Sequence, residues 1–157
     1  MSSLDALDRR IMLLFAAEPR IGVLEASRRL GVARGTVQAR LDRLEASGVI
    51  TGWAPSVDPA ALGFPVAAFA TLEITQGRGH GPVAASLRRI PEVLEAHTIT
   101  GAADMIVRLV ARSNADLQRV IDLVVSTPEV ARASTVIVLA SEIPLRFVPL
   151  LSVDDAS

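Results

Sequence analysis

The stretch that decides the fold of the N-terminal part is LGVARGTVQARLDRLEASGVI, residues Leu30–Ile50. Its apolar residues recur at three- and four-residue steps, the spacing that gives an α-helix one buried face. These apolar positions are Val37, Leu41 and Leu44. The pattern predicts a helix that begins near Ala33 and runs to Ser47, where Gly48, a residue type common after helix C-termini, ends it.

The outward face of this helix predicts a contact with DNA. Small residues lie at its centre, which lets a helix backbone approach the floor of a groove. Arginine side chains on its edges can reach phosphates, and glutamine can pair with base edges. We expect base contacts from Arg34, Thr36 and Gln38, and phosphate contacts from Arg40 and Arg43. The whole predicted DNA-binding set is Arg34, Gly35, Thr36, Gln38, Ala39, Arg40 and Arg43.

Two shorter helical patterns precede this helix. The first ends before Pro19, because proline disfavours helix in the residue before it, and the second stops at Gly31. Three such helices are typical of a helix-turn-helix unit, whose last helix enters the major groove. The stretch GVITGWAP that follows, residues 48–55, is interpreted as a short extended wing. The alternative is a three-helix bundle whose arginines are solvated or paired with Asp42 and Glu45.

A change of composition and then of periodicity marks the second part of the chain. Residues 51–65 carry three prolines and two glycines and are predicted to be a linker, with Trp53 as a packing anchor between domains. From Val66 the apolar residues alternate, which indicates a strand. The order that follows is strand, helix, strand, strand, helix, strand, with Asn114 as the expected cap of the second helix and the last strand at residues 133–141.

An internal repeat supports this order. IPEVLEA at residues 90–96 is echoed by TPEVARA at residues 127–133, 37 residues later. Two similar halves are what a ferredoxin-like β-α-β-β-α-β domain requires. Its sheet has helices on one face only, yet the last strand is apolar on both sides, so a second copy of the sheet is expected to cover the other face. The sequence thus predicts a homodimer.

These residues resemble the Lrp/AsnC, or feast/famine, family of transcriptional regulators. The family opens with a Leu-Asp-x-x-Asp-x-x-Ile/Leu helix, which Leu4, Asp5, Asp8 and Ile11 match. Its recognition helix ends in Arg-Leu-Glu-x-x-Gly-Val-Ile, which residues 43–50 match. The second part is similar to the effector-binding, oligomerising domain of the same family. The resemblance covers roughly residues 4–150 and implies double-stranded DNA as a partner and assembly of dimers, expected to reach an octamer.

The same resemblance indicates an effector site. The family has a Gly-x-x-Asp motif in the turn between the second and third strands, and this chain has TGAAD at residues 100–104. Backbone N–H groups of such a turn can hold a carboxylate, and Asp104 can receive an ammonium group. The expected effector is an amino acid, bound between dimers by Gly101, Ala102, Ala103 and Asp104 with residues of a neighbouring subunit. From the residues alone, an ordinary hairpin turn is the open alternative.

Composition excludes several classes of protein. The net charge is −1, divided into +2 over residues 1–50 and −3 over the rest, and there is no cysteine. No apolar run approaches the roughly 18 residues of a membrane span, and the first residues lack a signal-peptide pattern, so a cytoplasmic protein without membrane contact is expected. His80 lies in a Gly-rich loop and His97 in a strand pattern. No catalytic set or metal-ligand spacing accompanies them, so neither an enzyme, a metal nor a cofactor is predicted.

The sequence therefore predicts an α+β protein, a winged helix-turn-helix domain followed by a ferredoxin-like domain. The expected divisions are 1–50 for DNA binding, 51–65 for the linker, 66–150 for effector binding and oligomerisation, and 151–157 for a tail. The predicted function is sequence-specific transcription regulation in which a small effector, an amino acid, changes assembly and DNA affinity. Two alternatives remain open: a ferredoxin-like dimeric metabolite-binding protein or enzyme without DNA binding, and an architectural DNA-binding protein that ignores small molecules.

Overall fold

A computed structural model describes residues 4–75 and 79–152 of the chain. They form two compact units. One holds residues 4–55 together with 143–152, and the other holds residues 56–142. Within the described residues no helix has both the length and the apolar character needed to cross a bilayer. The described residues also contain no group of three or more histidine or acidic side chains placed to hold a metal ion.

Three helices build the first unit, as the apolar spacing predicts. They are α1 (Ala6–Ala17), α2 (Val23–Leu30) and α3 (Arg34–Ala46). Their apolar faces meet in one core, in which Ile11, Ala26 and Val37 are fully buried. The three predicted core positions of α3 all lie in the interior, at no more than 4% exposure. The helical pattern in Leu30–Ile50 was therefore interpreted correctly.

The turn between α2 and α3 depends on Gly31. This residue has φ +70°, in the left-handed region that glycine enters without the steric cost of a Cβ atom. The N–H of Val32 then donates to the carbonyl of Ser27 at 3.1 Å, which satisfies one of the last carbonyls of α2. The chain thus reverses in a few residues, and α3 begins at once.

The stretch predicted as a short extended wing, residues 48–55, contains no strand. No residue between Thr51 and Asp58 lies in a strand. Trp53 instead packs its ring edge-on against Phe15, with 5.4 Å between ring centroids, and its indole N–H donates to Glu45 at 2.7 Å. The packing role expected for Trp53 is confirmed, but on α1 and α3 of the helical unit, because an aromatic ring and a carboxylate acceptor are both within its reach there.

The second unit has the predicted ferredoxin-like element order. Its elements are β1 (Val66–Ile74), α4 (His80–Leu87), β2 (Val93–Thr98), β3 (Met105–Ala111), α5 (Asn114–Val125) and β4 (Val130–Ile137). The strands form one antiparallel sheet in the order β2-β3-β1-β4. Side chains of both helices share one core with a single face of the sheet. The internal repeat is confirmed, because Val83 and Val120, 37 residues apart, are both fully buried in this core.

Several boundaries differ from those expected. The second helix of this unit is capped by Ser113, whose hydroxyl accepts from the N–H of Asp116 at 3.1 Å, and not by Asn114. The last strand occupies Val130–Ile137 and ends before Leu139, which is 97% exposed. The expected Gly-rich loop is shorter, because α4 already begins at His80; its residues 76–78 lie outside the described residues.

The end of the chain also departs from the expected division. The ferredoxin-like unit ends at Glu142 and not at residue 150. Residues Val148–Ser152 form a short 3₁₀ helix in the helical unit, where the Arg9 guanidinium donates to the carbonyl of Leu151 at 3.3 Å. Of the predicted tail, residues 153–157 lie outside the described residues.

Candidate nucleic-acid interface and ligand-binding turn

The exposed face of α3 is the first candidate site. Arg34, Gly35, Gln38 and Ala39 are exposed, while Thr36 is half-buried. Val37 and Leu41 hold the opposite face in the core. The structure thus brings five of the seven predicted DNA-binding residues onto one open surface, which we call the reading face: Arg34, Gly35, Thr36, Gln38 and Ala39.

Side chains on the reading face have few protein partners. The Gln38 amide donates to the Asp42 carboxylate at 2.7 Å, a contact one helical turn along α3 that leaves the amide at the surface. Arg34 makes no ion pair with any side chain in the described ranges. The first backbone N–H groups of α3 also lack a side-chain cap, since Ala33 occupies the cap position. Unsatisfied N–H groups and a cation at a helix N-terminus favour an anion such as phosphate.

The remaining two predicted residues, Arg40 and Arg43, are differently placed. Arg40 contacts the carboxylates of both Asp5 and Asp8, the latter at 3.1 Å, and Arg43 contacts Asp8 at 2.5 Å. We call these four residues the α1–α3 clamp. In the free protein both guanidinium groups are therefore held by carboxylates, so a phosphate would have to compete with Asp5 and Asp8. Their role in binding phosphates stays a prediction.

Asp8 is the centre of the clamp. Its side chain is fully buried, whereas those of Arg40 and Arg43 are 28% and 45% exposed. Burial of an ionised carboxylate is costly unless charged or hydrogen-bonding partners compensate it. Here the two guanidinium groups do so, and the N–H of Asp5 donates to Asp8 at 3.0 Å.

Asp5 completes the clamp from the end of α1. It is the N-cap of this helix, and its side chain accepts from the N–H of Asp8 at 2.9 Å. The Asp8 carboxylate in turn accepts from the N–H of Asp5. The hydrogen bond from Arg40, with a smaller contribution from the Asp8 N–H, lowers the pKa of the Asp5 carboxyl to about 2. The carboxylate is therefore ionised throughout the physiological range.

Sequence reasoning did not assign the clamp. A signal for part of it was present, because two acids three residues apart at a helix start form the reciprocal cap known as a capping box. The contacts of Asp8 with Arg40 and Arg43, however, join residues 32 and 35 positions apart. No local pattern shows such pairs.

The turn between β2 and β3 is the second candidate site. Gly101 has φ +118°, a conformation that favours glycine, and it is exposed together with Ala102, while Ala103 and Asp104 are half-buried. The Asp104 carboxylate accepts from the backbone N–H of Ile74 at 2.6 Å. Its own N–H donates to the carbonyl of Leu72 at 2.9 Å. The turn is thus tied to the end of β1 through one carboxylate oxygen and the backbone N–H of Asp104.

Two family models match the chain, one for each unit. Residues 4–51 match a winged helix-turn-helix DNA-binding model, and residues 67–146 match the Lrp/AsnC ligand binding domain. The transcriptional regulator FL11 of Pyrococcus horikoshii is 31% identical over 91% of this chain and 97% of its own length. The chain belongs to the Lrp/AsnC family. It is a DNA-binding helix-turn-helix transcriptional regulator with a ligand-binding domain, and not an enzyme.

Other Lrp/AsnC proteins support this assignment along most of the chain. The regulatory protein AsnC of Escherichia coli is 30% identical over 89% of this chain and 93% of its own. The solved structure of E. coli AsnC superimposes with a TM-score of 0.85 at 28% identity, covering 94% of this chain and all of that one. A feast or famine regulatory protein from Mycobacterium tuberculosis, solved in complex with L-methionine, gives 0.83 at 26% identity and covers 92% and 98% of the two chains.

Proposed function

We propose that this regulator recognises specific double-stranded DNA through the reading face of α3, with Arg34, Thr36 and Gln38 at base edges. The observation that carries the proposal is the exposure of Arg34 and Gln38, with Thr36 half-buried beside them, on a helix whose opposite face is buried. Arginine pairs with guanine and glutamine with adenine through two hydrogen bonds each. Arg40 and Arg43 border the reading face.

Gly35 supplies an argument for close approach to DNA. A Cβ atom at this position would meet no protein atom within 4 Å, so the fold does not require glycine there. Glycine inside a helix costs up to about 1 kcal/mol relative to alanine. The chain accepts this cost at the centre of its reading face, where a missing side chain brings the backbone nearer to the bases.

The variants Gly35→Ala and Arg34→Ala test this surface. Gly35→Ala is expected to raise the free energy of unfolding by no more than about 1 kcal/mol and yet weaken DNA binding at least tenfold. Arg34→Ala is expected to lose about 1–3 kcal/mol of discrimination at one base pair. Fluorescence anisotropy measures the loss of affinity and the loss of discrimination, with a duplex that the wild-type protein selects from a random-sequence pool and its single-base-pair variants.

The control is Arg88→Ala, an exposed arginine in the ferredoxin-like unit, which should leave affinity unchanged. Wild-type binding should also weaken steeply with salt. The logarithm of the association constant should fall against the logarithm of the salt concentration with a slope of about −0.9 for each phosphate neutralised. If Gly35→Ala and Arg34→Ala both bind like the wild type, the reading face is not the DNA-binding surface. If the wild type selects no sequence, specific recognition itself is contradicted.

We propose that an amino acid is the effector and that it binds at the Gly101–Asp104 turn. A related protein of known structure holds L-methionine. At this turn, backbone N–H groups suit a carboxylate, and the second oxygen of Asp104 suits an ammonium group. Residues of a neighbouring subunit would complete the site. Binding changes DNA affinity only where the ligand prefers one assembly of the regulator over another.

Asp104→Asn separates the ligand role of Asp104 from its structural role. The asparagine oxygen can still accept from the Ile74 N–H, whereas its neutral amide cannot pair with an ammonium group. We expect the variant to fold with an unchanged melting temperature and to lose the response of DNA binding to every amino acid that shifts the wild-type curve. A variant that responds like the wild type would place the effector elsewhere.

We further propose that two chains form a homodimer by packing the helix-free faces of their sheets together, and that dimers assemble further to an octamer. A dimer presents two reading faces to successive major grooves, which is how helix-turn-helix proteins read paired half-sites. In this proposal the first unit binds DNA, and the second unit binds the effector and the partner chains. The cytoplasm, where the DNA of a prokaryotic cell lies, is the proposed location.

A further inference from the structure

The α1–α3 clamp neutralises two arginines of the helix that we propose binds DNA. α3 has three arginines on its surface, but two of them are paired with acids of α1. Two guanidinium groups and two carboxylates sum to no net charge. The clamp therefore adds little to the attraction of phosphates, although its arginines lie beside the reading face. Its contribution to DNA binding is therefore of another kind than charge attraction.

Geometry indicates what the clamp does. Arg40 and Arg43 lie three residues apart, so they project from successive turns of one flank of α3. Both reach the same buried carboxylate, at 3.1 and 2.5 Å. Two contacts from successive turns to one immobile group restrain rotation of α3 about its own axis. The buried apolar face of α3 restrains rotation by close packing, and the two directional contacts to Asp8 add a second restraint on one flank of the helix.

We propose that Asp8 is a positioning residue for sequence recognition: it holds α3 at the rotation where the reading face meets the bases, and it withholds Arg40 and Arg43 from phosphates. The inference rests on the proposed function of the reading face. Hydrogen bonds to base edges weaken steeply outside a narrow range of distance and angle. A rotated helix therefore loses specific contacts, while the sequence-independent attraction to the DNA backbone is less sensitive to rotation.

The variant Asp8→Asn tests this directly. Replacing the carboxylate by an amide of the same shape removes one negative charge, releases Arg43 and leaves Arg40 paired with Asp5 alone. A purely electrostatic role predicts tighter binding to every duplex. The positioning role predicts that binding to a scrambled duplex is kept or strengthened, while preference for the selected duplex falls at least tenfold. The salt slope on the scrambled duplex should steepen by up to about 0.9 for each arginine released.

Glu25→Gln is the matched control. Glu25 pairs with Arg28 and Arg29 on α2, and Arg29 also pairs with Glu18. Loss of the Glu25 charge therefore also removes one negative charge, releases one arginine and leaves a second paired with another acid. It does not contact α3 among the described interactions. We expect this variant to keep the wild-type preference between the two duplexes, whatever its overall affinity. Measuring both variants by anisotropy over a salt series separates charge from position.

Arg40→Gln and Arg43→Gln keep the test decisive if Asp8→Asn does not fold, because their side chains are partly exposed. As parts of the clamp, each should reduce the preference between duplexes without lowering the salt slope. As phosphate ligands, each would lower the slope by about 0.9 on both duplexes and leave the preference intact, which would overturn the proposal. Wild-type preference in Asp8→Asn would overturn it too. A wild-type protein that prefers no duplex would contradict both this inference and the proposed function.

Discussion

Asp8 shows how much of this regulator depends on single residues whose partners are remote in the chain. It serves α1 as part of the capping box and serves α3 as the acceptor for two arginines. A carboxylate is suited to both roles because its two oxygens accept several hydrogen bonds at once. Asp5, its exposed neighbour in the clamp, has the pKa most clearly displaced by these contacts.

The lowered pKa of Asp5 predicts a pH dependence. The carboxyl has a pKa of about 2 in the folded protein against 3.8 as a reference, so ionised Asp5 stabilises the fold. That stabilisation is complete above the reference pKa and is lost as the pH falls from about 4 to about 2. Urea unfolding followed by fluorescence of Trp53, the one tryptophan of the chain, reports on the helical unit.

In Asp5→Asn the free energy of unfolding should change less over this pH range than it does in the wild-type protein. The asparagine still caps α1, because asparagine is as good an N-cap as aspartate. Glu142→Gln, which alters an exposed acid of the other unit, serves as the control and should follow the wild-type profile. Parallel profiles for wild type and Asp5→Asn would show that the Arg40 contact does not stabilise the fold in solution.

At the scale of elements, the sequence predicted the interiors of helices better than their ends. The apolar spacing predicted the five α-helices of the described residues, yet the cap of α5 is Ser113 and not Asn114. Both residue types make good caps, so composition does not choose between them. The choice depends on which side chain faces the N–H two or three residues ahead, and the end of β3 sets that direction.

Alanine substitutions distinguish the two candidate caps. Ser113→Ala is expected to lower the free energy of unfolding of the ferredoxin-like unit by about 1 kcal/mol, because the N–H of Asp116 loses its acceptor. Asn114→Ala should change this free energy by no more than a few tenths of a kcal/mol, since residue 114 is the first residue of the helix and not its cap. Thermal unfolding monitored by circular dichroism measures both, and equal losses would contradict the assignment of the cap.

At the scale of the whole molecule, the sheet of the ferredoxin-like unit has one face without helices. Phe69 and Val136 are neighbours across β1 and β4 on this face, and they are 37% and 63% exposed. Charged residues flank them, with Glu95 and Arg108 paired at 3.0 Å on one side. An apolar centre with a polar rim is typical of an interface between subunits.

A charge at the centre of this face should disrupt the proposed homodimer. Val136→Glu would place an unpaired carboxylate in the interface, which costs several kcal/mol, so we expect the dissociation constant to rise about a hundredfold or more. Sedimentation velocity over a concentration series measures the shift. Leu24→Glu, the same kind of change on the exposed side of α2, should leave assembly intact; if Val136→Glu does too, the dimer uses another surface.

The sequence by itself determined the element order of both units, the buried face of α3 and the family. These features follow from periodicity, from glycine in left-handed turns and from motifs that are local in the chain. Five of the seven residues predicted to bind DNA occupy the reading face for the same reason, because helical spacing alone assigns them to the side opposite Val37 and Leu41.

Only the tertiary structure decided where Arg40 and Arg43 point, how Asp104 is held and where the second unit ends. Each depends on a contact between residues remote in sequence: Arg43 with Asp8, Asp104 with Ile74, and Arg9 with Leu151. An arginine on a helix surface has the same local pattern whether it meets a phosphate or a carboxylate. Which of them it meets is set by the packing of helices, because packing alone brings the charges of α1 within reach of α3.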